Sequence, residues 1–331
     1  MIRPASRHLK RAGIFPERLL AEELYGRYTS GSMVYRTLCC AGIILFTILS
    51  SLAAEPAQRQ TDNPHIILRS LVTAYPEQVT DIDYDFDVGD WYVSVNGTRL
   101  YWAEGRLLPR NELHRISEWR PYVDYLYPDK IPHPEDFSPD LLEQLNSRVL
   151  EVRRSNAKPY NITLYDLLYD GATRRRIEAN IIREDYLGKR VSAHRAIFPR
   201  LRNIEARIYE LAARDQEVRE FLDNIQSIEG YNWREVADRP LRSNHSWGLA
   251  IDIMPRGWKN KNIYWHWISQ FNDEWMLIPP DRRWAPPDKV IEIFEAEGFI
   301  WGGKWLLWDT IHFEYRPELL VLRRWGYVRE E

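Results

Sequence analysis

The stretch LRSNHSWGLAIDI (residues 241–253) places His245 and Asp252 seven positions apart in an otherwise mostly apolar run. The overlapping segment GLAIDIM alternates large apolar residues with small or polar ones, which predicts a β-strand with one apolar face. On such a strand the odd-numbered apolar residues point to one side and Asp252 points to the other. A core strand needs neither polar group, whereas a metal site could use both.

A second stretch, DTIHFEYRPE (residues 309–318), alternates in the same way. It predicts a strand that turns His312 and Glu314 away from its apolar face. Two strands therefore each present one good metal ligand, Asp252 and His312, and His245 lies just before the first of them. Two imidazoles and one carboxylate are a typical ligand set of catalytic zinc, whose fourth position holds a water with a pKa of about 7.

Position 309 supplies a candidate for the general base that such chemistry requires. Positions 309 and 312 face opposite ways in a regular strand, so Asp309 must lie in the turn that enters the strand. Glu314 shares a face with His312 and is a candidate for orienting a metal ligand through a hydrogen bond. Glu314 could equally well be a surface carboxylate without a role at the metal site.

The composition narrows the choice of partners and ligands. The chain has 331 residues, is 44% hydrophobic and carries a formal net charge of -3, which predicts one or two domains and gives no indication of a nucleic-acid partner. Both cysteines, Cys39 and Cys40, lie in an apolar N-terminal segment, so a metal site elsewhere must use His, Asp or Glu. The other histidines are expected to be surface or satisfied core residues: His8, His65, His114, His133, His194 and His266.

The N-terminal segment MVYRTLCCAGIILFTILSSLAAEPAQ (residues 33–58) has the layout of a secretory signal peptide. We predict a signal peptide over residues 33–54 and a mature chain in the periplasm or cell envelope. Translation is expected to start at Met33 with residues 1–32 untranslated; the alternative is that residues 1–32 extend the n-region of the signal peptide. The mature chain is not expected to insert into the membrane. Retention of the segment as an anchor is the alternative, although its apolar run is short for a span of about 20 residues.

The remaining patterns predict an α+β protein. Residues 55–190 are expected to form a mainly helical region with a β-hairpin around Asn96-Gly97, a dipeptide that favours two-residue turns; within it, residues 55–90 are expected as loop or edge structure. Residues 191–331 are expected to form a small antiparallel sheet with flanking helices. Further helices are predicted at about 138–154, 171–184, 194–213 and 215–224, and one that ends at Gly298.

Two motifs carry a family resemblance. SNHSWGLAID fits the pattern Ser-x-His-x-x-Gly-x-Ala-x-Asp, and DTIHFE fits Asp-x-x-His-Phe-Glu. Together they resemble the VanY-type zinc D-alanyl-D-alanine carboxypeptidases and the related L-alanyl-D-glutamate endopeptidases, which share a fold with the hedgehog signalling domain. The segment FEAEGFIWGGKW before the second motif is also typical of them. The resemblance covers about residues 195–318, and residues 55–190 have no counterpart in it.

The resemblance implies a role for each matching position. His245, Asp252 and His312 would hold one Zn²⁺ ion, and Asp309 would be the general base. An arginine upstream of the first motif would bind the substrate carbonyl or the developing oxyanion, a task suited to its permanent charge. The best candidate is Arg234, with Arg242 and Arg239 behind it, and the further substrate-binding candidates are Ser243 and Trp305.

The implied function is that of an exported zinc peptidase acting on peptidoglycan stem peptides. D-alanyl-D-alanine carboxypeptidase activity is favoured, and an L-alanyl-D-glutamate-type endopeptidase of the same fold is the alternative. A non-catalytic, zinc-stabilised wall-binding module is the alternative from another class; Asp309 argues against it, because a structural zinc site needs no base. The tryptophan-rich segment 256–287 is predicted to form a wall of the substrate cleft. The oligomeric state is left open.

Overall fold

A computed structural model describes residues 63–122, 126–146, 158–233 and 242–327 of the chain. The predicted signal peptide and start site lie outside these residues. No helix in the described part is long and apolar enough to cross a membrane. The α-helices are α1 (Pro64–Ala74), α2 (Pro139–Leu145), α3 (Thr163–Leu168), α4 (Arg174–Glu178), α5 (Phe198–Ala212), α6 (Gln216–Asn224), α7 (Trp265–Ile268), α8 (Asp288–Ala296) and α9 (Pro317–Arg324). The strands are β1 (Val79–Asp85), β2 (Asp90–Val95), β3 (Thr98–Tyr101), β4 (Leu108–Pro109), β5 (Ile181–Tyr186), β6 (Lys189–His194), β7 (Ile225–Glu229), β8 (Ala250–Pro255), β9 (Phe299–Trp301) and β10 (His312–Tyr315).

Strands β1 to β4 form an antiparallel sheet in sequence order. The predicted hairpin is confirmed, because β2 and β3 pair across Asn96 and Gly97, which both have positive φ as this turn requires. Loop or edge structure is predicted over residues 55–90. The edge structure is confirmed, because β1 is an edge strand of this sheet. The described part of that stretch also contains α1, which Asn63 caps by accepting a hydrogen bond from the His65 N–H.

Of the helix predicted over residues 171–184, only α4 (Arg174–Glu178) is found, and the prediction is wrong from Ile181 onward, where β5 begins. α4 is short, and β5 and β6 form a hairpin across Leu187 and Gly188, both with positive φ. The inner face of this hairpin buries Tyr186 and Val191, so cross-strand packing outweighs the helical preference of the preceding residues. α5 consequently begins later than predicted, after β6.

The other predicted helices are found. α2 begins after Ser138, whose side chain accepts a hydrogen bond from the Leu141 N–H, and it ends at Leu145. The predicted continuation over residues 147–154 lies outside the described residues. α6 is capped by Asp215. Gly298 follows α8 with a φ of 93°, the left-handed conformation that commonly ends a helix.

The sheet that carries both motifs has the antiparallel strand order β7-β8-β10-β9. Its inner strands, β8 and β10, are the two strands predicted from the motifs. Phe313 of β10 stacks on Phe294 of α8 with ring centroids 4.0 Å apart, and residues of α5 join the same cluster of buried side chains. The predicted α+β class, with a small antiparallel sheet and flanking helices, is confirmed.

The region before residue 190 packs on the same core as the motif sheet. One cluster of buried side chains contains Leu68 of α1, Val93 of β2 and Ile251 of β8. With β1 to β6 in place, that region holds more β-structure than the mainly helical region predicted, because its alternating segments pair locally through tight turns. The proposed domain boundary at residues 190/191 falls within β6 and stays a prediction.

Candidate metal centre

The register of the motif sheet brings two predicted ligands together. Asp252 on β8 is the direct cross-strand partner of His312 on β10, so both side chains leave the same face of the sheet. The neighbouring residues Ile251 and Phe313, also partners, are completely buried on the opposite face. The alternation in the two motifs therefore predicts the placement of both side chains correctly.

The third predicted ligand, His245, lies in a short 3-10 helix (Asn244–Trp247) just before β8. Ser243 caps this helix, with its Oγ accepting a hydrogen bond from the His245 N–H at 3.4 Å. Gly248 ends the helix with a φ of 69°, and a Cβ there would lie 2.6 Å from the backbone nitrogen of His194. Glycine is therefore required at the point where the chain turns into the strand.

Three ligand atoms converge where these elements meet. Asp252 Oδ1 lies 2.9 Å from His312 Nδ1 and 3.3 Å from His245 Nε2, and the two imidazole nitrogens are 3.3 Å apart. Ligands about 2.05 Å from a tetrahedral zinc ion are separated by roughly 3.3 Å. The spacing of this triad thus fits the ligand set predicted from the motifs, and the group is one that could hold a metal ion.

Hydrogen bonds on the far side of each imidazole fix which nitrogen faces the triad. His245 Nδ1 lies 2.7 Å from the carbonyl oxygen of Gly230; a carbonyl only accepts, so Nδ1 carries the proton and Nε2 presents its lone pair. His312 Nε2 lies 3.1 Å from Glu314 Oε2, which leaves Nδ1 to face Asp252. Such partners orient metal-binding histidines and increase their basicity.

The same hydrogen bonds set the ionisation of the centre. Burial opposes protonation of His312, but the carboxylates of Asp252 and Glu314 outweigh it and raise the pKa of His312 well above its usual value. Burial alone would raise the pKa of Asp252, yet His245 and His312 hold it well below the ordinary range. Burial also acts to raise the pKa of Glu314, but His312 and Arg316 outweigh it and lower that pKa to about 2. Both carboxylates are therefore anionic at neutral pH.

Glu314 is a buried residue rather than a surface carboxylate. Its side chain also accepts a hydrogen bond from Asn244 Nδ2 at 2.6 Å, and Arg316 Nη1 lies 3.7 Å from its other oxygen. Of the two explanations that the sequence left open for Glu314, orientation of His312 is the one that the geometry supports.

A chain of buried polar contacts continues inward from Glu314. Arg316 donates from Nε to Glu318 Oε1 at 2.5 Å. The completely buried Glu318 also accepts hydrogen bonds from the hydroxyl groups of Tyr75, at 2.7 Å, and Tyr122, at 2.9 Å. These contacts connect the region before residue 190 to the strand that carries His312. We define this set, Glu314, Arg316, Glu318, Tyr75 and Tyr122, as the inner network.

A cavity of about 280 Å³ opens beside the triad; His245 and Asp252 help to line it, and no residue of the inner network does. Arg183, Arg190 and Glu229 also line it, and no sequence motif indicates any of these three residues. Glu229 is the cross-strand partner of Asp252. Arg183 and Arg190 lie on the β5-β6 hairpin, and the helix predicted over residues 171–184 overlaps its first strand. No local pattern placed this hairpin beside the motifs.

Asp309 lies in the predicted position, in the turn that enters β10. Its carbonyl oxygen accepts a hydrogen bond from the His312 N–H at 3.2 Å, and its side chain is half-buried. Trp305 lies with its ring centroid 5.4 Å from that of His312. The roles of Asp309 as base and of Trp305 in substrate binding stay predictions.

The candidate arginines have different outcomes. Arg242 Nη1 donates to Asp166 Oδ1 at 3.0 Å and to the carbonyl oxygen of Gly171 at 2.9 Å. Its guanidinium also stacks on Trp233 and Trp247, so it ties α3 to the first motif, and substrate binding by Arg242 stays a prediction. The other two candidates, Arg234 and Arg239, lie outside the described residues.

The tryptophan-rich segment 256–287 packs beside the turn that holds Asp309. Tyr264 pairs with Asp309 in an isolated β-bridge, and the Trp265 N–H donates to the carbonyl oxygen of Trp308 at 3.0 Å. Trp265 and Trp308 belong to one small buried cluster. Formation of a cleft wall by this segment stays a prediction.

Comparison with known proteins covers two parts of the chain. Residues 67–124 match a family model described as a domain of unknown function. Neither a curated protein nor a solved structure matches the chain. Residues 236–315, which include all three members of the triad, match a family model described as D-alanyl-D-alanine carboxypeptidase. This match supports the assignment of residues 236–315 to that peptidase family.

Proposed function

We propose that the protein is an exported zinc peptidase that removes the terminal D-alanine from peptidoglycan stem peptides. The observation that carries the proposal is the convergence of His245, Asp252 and His312 at a spacing suited to zinc, within the segment that matches the carboxypeptidase family. The signal-peptide pattern over residues 33–54 supports export.

Zinc at this centre would supply a Lewis acid for the scissile carbonyl and would lower the pKa of a water molecule to about 7. Water adds to the carbonyl carbon, the C–N bond breaks, and the products are a carboxylic acid and an amine. Asp309, in the turn before His312, takes the proton of the attacking water and delivers it to the leaving amine. An arginine, for which Arg234 is the candidate, stabilises the oxyanion that develops on the carbonyl oxygen.

The proposal is tested with the purified protein and a pentapeptide that ends in D-Ala-D-Ala. Mass spectrometry is expected to detect loss of one alanine, and metal analysis is expected to find one zinc per chain. Asp309→Asn removes the base but no predicted ligand, so it is expected to lower kcat by about 10²- to 10⁴-fold while the zinc content stays the same.

The same digest separates the alternatives. Cleavage between L-alanine and D-glutamate, with the D-Ala-D-Ala bond left intact, would replace the carboxypeptidase proposal by the endopeptidase. Binding of zinc and of isolated cell wall without cleavage of any peptide bond would support the non-catalytic module and contradict the peptidase proposal.

A further inference from the structure

The hairpin of β5 and β6 presents a basic edge to the cavity beside the triad. Arg183 is the cross-strand partner of Ser192, and Arg190 is the partner of Asp185, so these four side chains share one face of the hairpin. That face is turned away from the core, which the hairpin contacts through its other face. Arg183, Arg190 and Ser192 all line the cavity, together with His245 and Asp252.

Short backbone contacts hold the hairpin against the metal centre. The Tyr231 N–H donates to the carbonyl oxygen of Ser192 at 2.6 Å. The neighbouring Gly230, whose carbonyl accepts from His245, approaches so closely that a Cβ on it would lie 2.1 Å from the same Ser192 oxygen. The adjacent residues Gly230 and Tyr231 thus contact both His245 and strand β6, which fixes the distance between them.

The two arginines are available for a ligand. Arg190 Nη1 lies 3.5 Å from Asp185 Oδ1, but both side chains are largely exposed, and such surface pairs contribute little. No carboxylate in the described ranges forms an ion pair with Arg183. Both guanidinium groups can therefore turn to an anion without breaking a buried contact.

The charge of the cavity favours an anionic ligand. Arg183 and Arg190 contribute two positive charges to its lining, and Glu229 and Asp252 contribute two negative ones, so the formal sum is zero. A divalent ion at the triad would give the lining a net positive charge. The negative side chains lie on the motif sheet, whereas the positive ones lie on the hairpin, so an anionic group is attracted towards the hairpin.

We propose that Arg183 and Arg190 form a carboxylate-binding subsite that positions the substrate peptide over the metal centre. Guanidinium groups match a carboxylate in shape and charge and form charge-assisted hydrogen bonds with it. This inference rests on the proposed peptidase function. A stem peptide offers two carboxylates of the same chemistry: the one at its C-terminus and the one on its internal glutamyl residue.

The test measures binding and turnover of three peptides that differ only in these groups. The parent pentapeptide has both carboxylates; a second has a C-terminal amide, and a third has an amidated glutamyl residue. Turnover is measured with the otherwise wild-type protein, and equilibrium binding by calorimetry with Asp309→Asn protein. The double variant Arg183→Gln/Arg190→Gln is compared with Arg207→Gln, which removes an exposed arginine of α5 that does not line the cavity.

The double variant is expected to raise KM and Kd for the parent peptide by about tenfold, the loss typical of one charged hydrogen bond, with little change in kcat. The Arg207→Gln control leaves both constants unchanged. The peptide whose amidation removes the difference between the wild type and the double variant identifies the bound carboxylate. Either outcome supports the subsite.

Equal KM and Kd values for the wild type and the double variant would overturn the subsite. An arginine effect that persists undiminished in each of the two amidated peptides would also overturn it. Arginine-dependent binding without hydrolysis of any peptide would support the subsite and contradict the peptidase function. Hydrolysis that does not depend on the arginines would support the peptidase function and contradict the subsite. Thermal unfolding of each variant verifies that it is folded.

Discussion

The two sides of the metal triad differ in burial and in what surrounds them. On the inner side, Glu314, Arg316 and Glu318 are all less than 10% exposed, and they are connected to one another and to His312 by ion pairs or hydrogen bonds. On the outer side, the cavity is lined by exposed charged side chains such as Arg183. The inner side therefore holds His312 in place, whereas the outer side is open.

This difference predicts different responses to substitution. A buried charge that loses its partner costs free energy of unfolding, because water does not replace the lost contact. An exposed charge that is removed changes the interaction with a ligand and has little effect on stability. Substitutions on the inner side should therefore change stability and metal affinity, and substitutions on the outer side should change substrate binding.

The largest expected effect is on stability, from Glu318→Gln. The change removes the charge that pairs with Arg316 and weakens acceptance from Tyr75 and Tyr122, all within the protein interior. Breaking a buried pair in this way is expected to lower the free energy of unfolding by about 3–5 kcal/mol. Chemical denaturation, followed by tryptophan fluorescence, measures it.

Glu184→Gln is the matched control for that substitution. Glu184 forms an ion pair with Arg202, and both side chains are more than a third exposed. Loss of this exposed ion pair is expected to lower the free energy of unfolding by less than about 1 kcal/mol. Equal losses for Glu318→Gln and Glu184→Gln would contradict the distinction between the inner network and the surface.

His194 gives the next effect, a pH dependence of stability. Its Nδ1 accepts from the Ala196 N–H and its Nε2 donates to the Tyr169 carbonyl, and burial lowers the pKa of His194 to about 4. Below about pH 6.5 the unfolded chain binds a proton at His194, whereas the folded chain does not until about pH 4. The contribution of neutral His194 to the free energy of unfolding is therefore complete above pH 6.5 and is lost by about pH 4. The loss amounts to about 3 kcal/mol.

The variant His194→Gln isolates that contribution. Carboxylates titrate over the same range in both proteins, so the quantity to compare is the difference in unfolding free energy between wild type and variant at pH 7 and at pH 4. It is expected to shrink as the pH falls. A difference that is constant with pH would show that His194 ionises equally in the folded and unfolded chains.

The smallest expected effect is on zinc affinity, from Glu314→Ala. This change removes the hydrogen-bond acceptor for His312 Nε2 but none of the three predicted metal ligands. Loss of such a partner typically weakens metal binding by about 10- to 100-fold. Glu314→Gln keeps an acceptor oxygen and should lose less than Glu314→Ala. Competition with a chelator measures zinc affinity; unchanged affinity in Glu314→Ala would remove the proposed orienting role.

The sequence predicts the triad well because period-two alternation determines which side chains share a face of a strand. Asp252 and His312 follow from that rule alone, and the turn position of Asp309 follows from its spacing to His312. The helix that carries His245 is also local, with Ser243 as its cap and Gly248 as its end. Each of these features depends on neighbours within a few positions.

The cavity could not be predicted, because it depends on contacts between segments far apart in the chain. Arg183 and Arg190 reach the cavity beside the triad through packing of the β5-β6 hairpin, whose first strand overlaps the helix predicted over residues 171–184. The contact of Glu318 with Tyr75 and Tyr122 joins residues more than 190 positions apart, and no local pattern identifies such partners.

Metal dependence of peptide hydrolysis tests the central claim most directly. The purified protein is depleted of metal with a chelator, its zinc content is determined, and cleavage of the D-Ala-D-Ala pentapeptide is followed as zinc is returned. We predict no cleavage without zinc, full recovery at one zinc per chain, and no recovery in an Asp252→Ala variant that lacks the carboxylate ligand. Full activity in the metal-depleted wild type, or zinc-dependent activity in Asp252→Ala, would contradict the account.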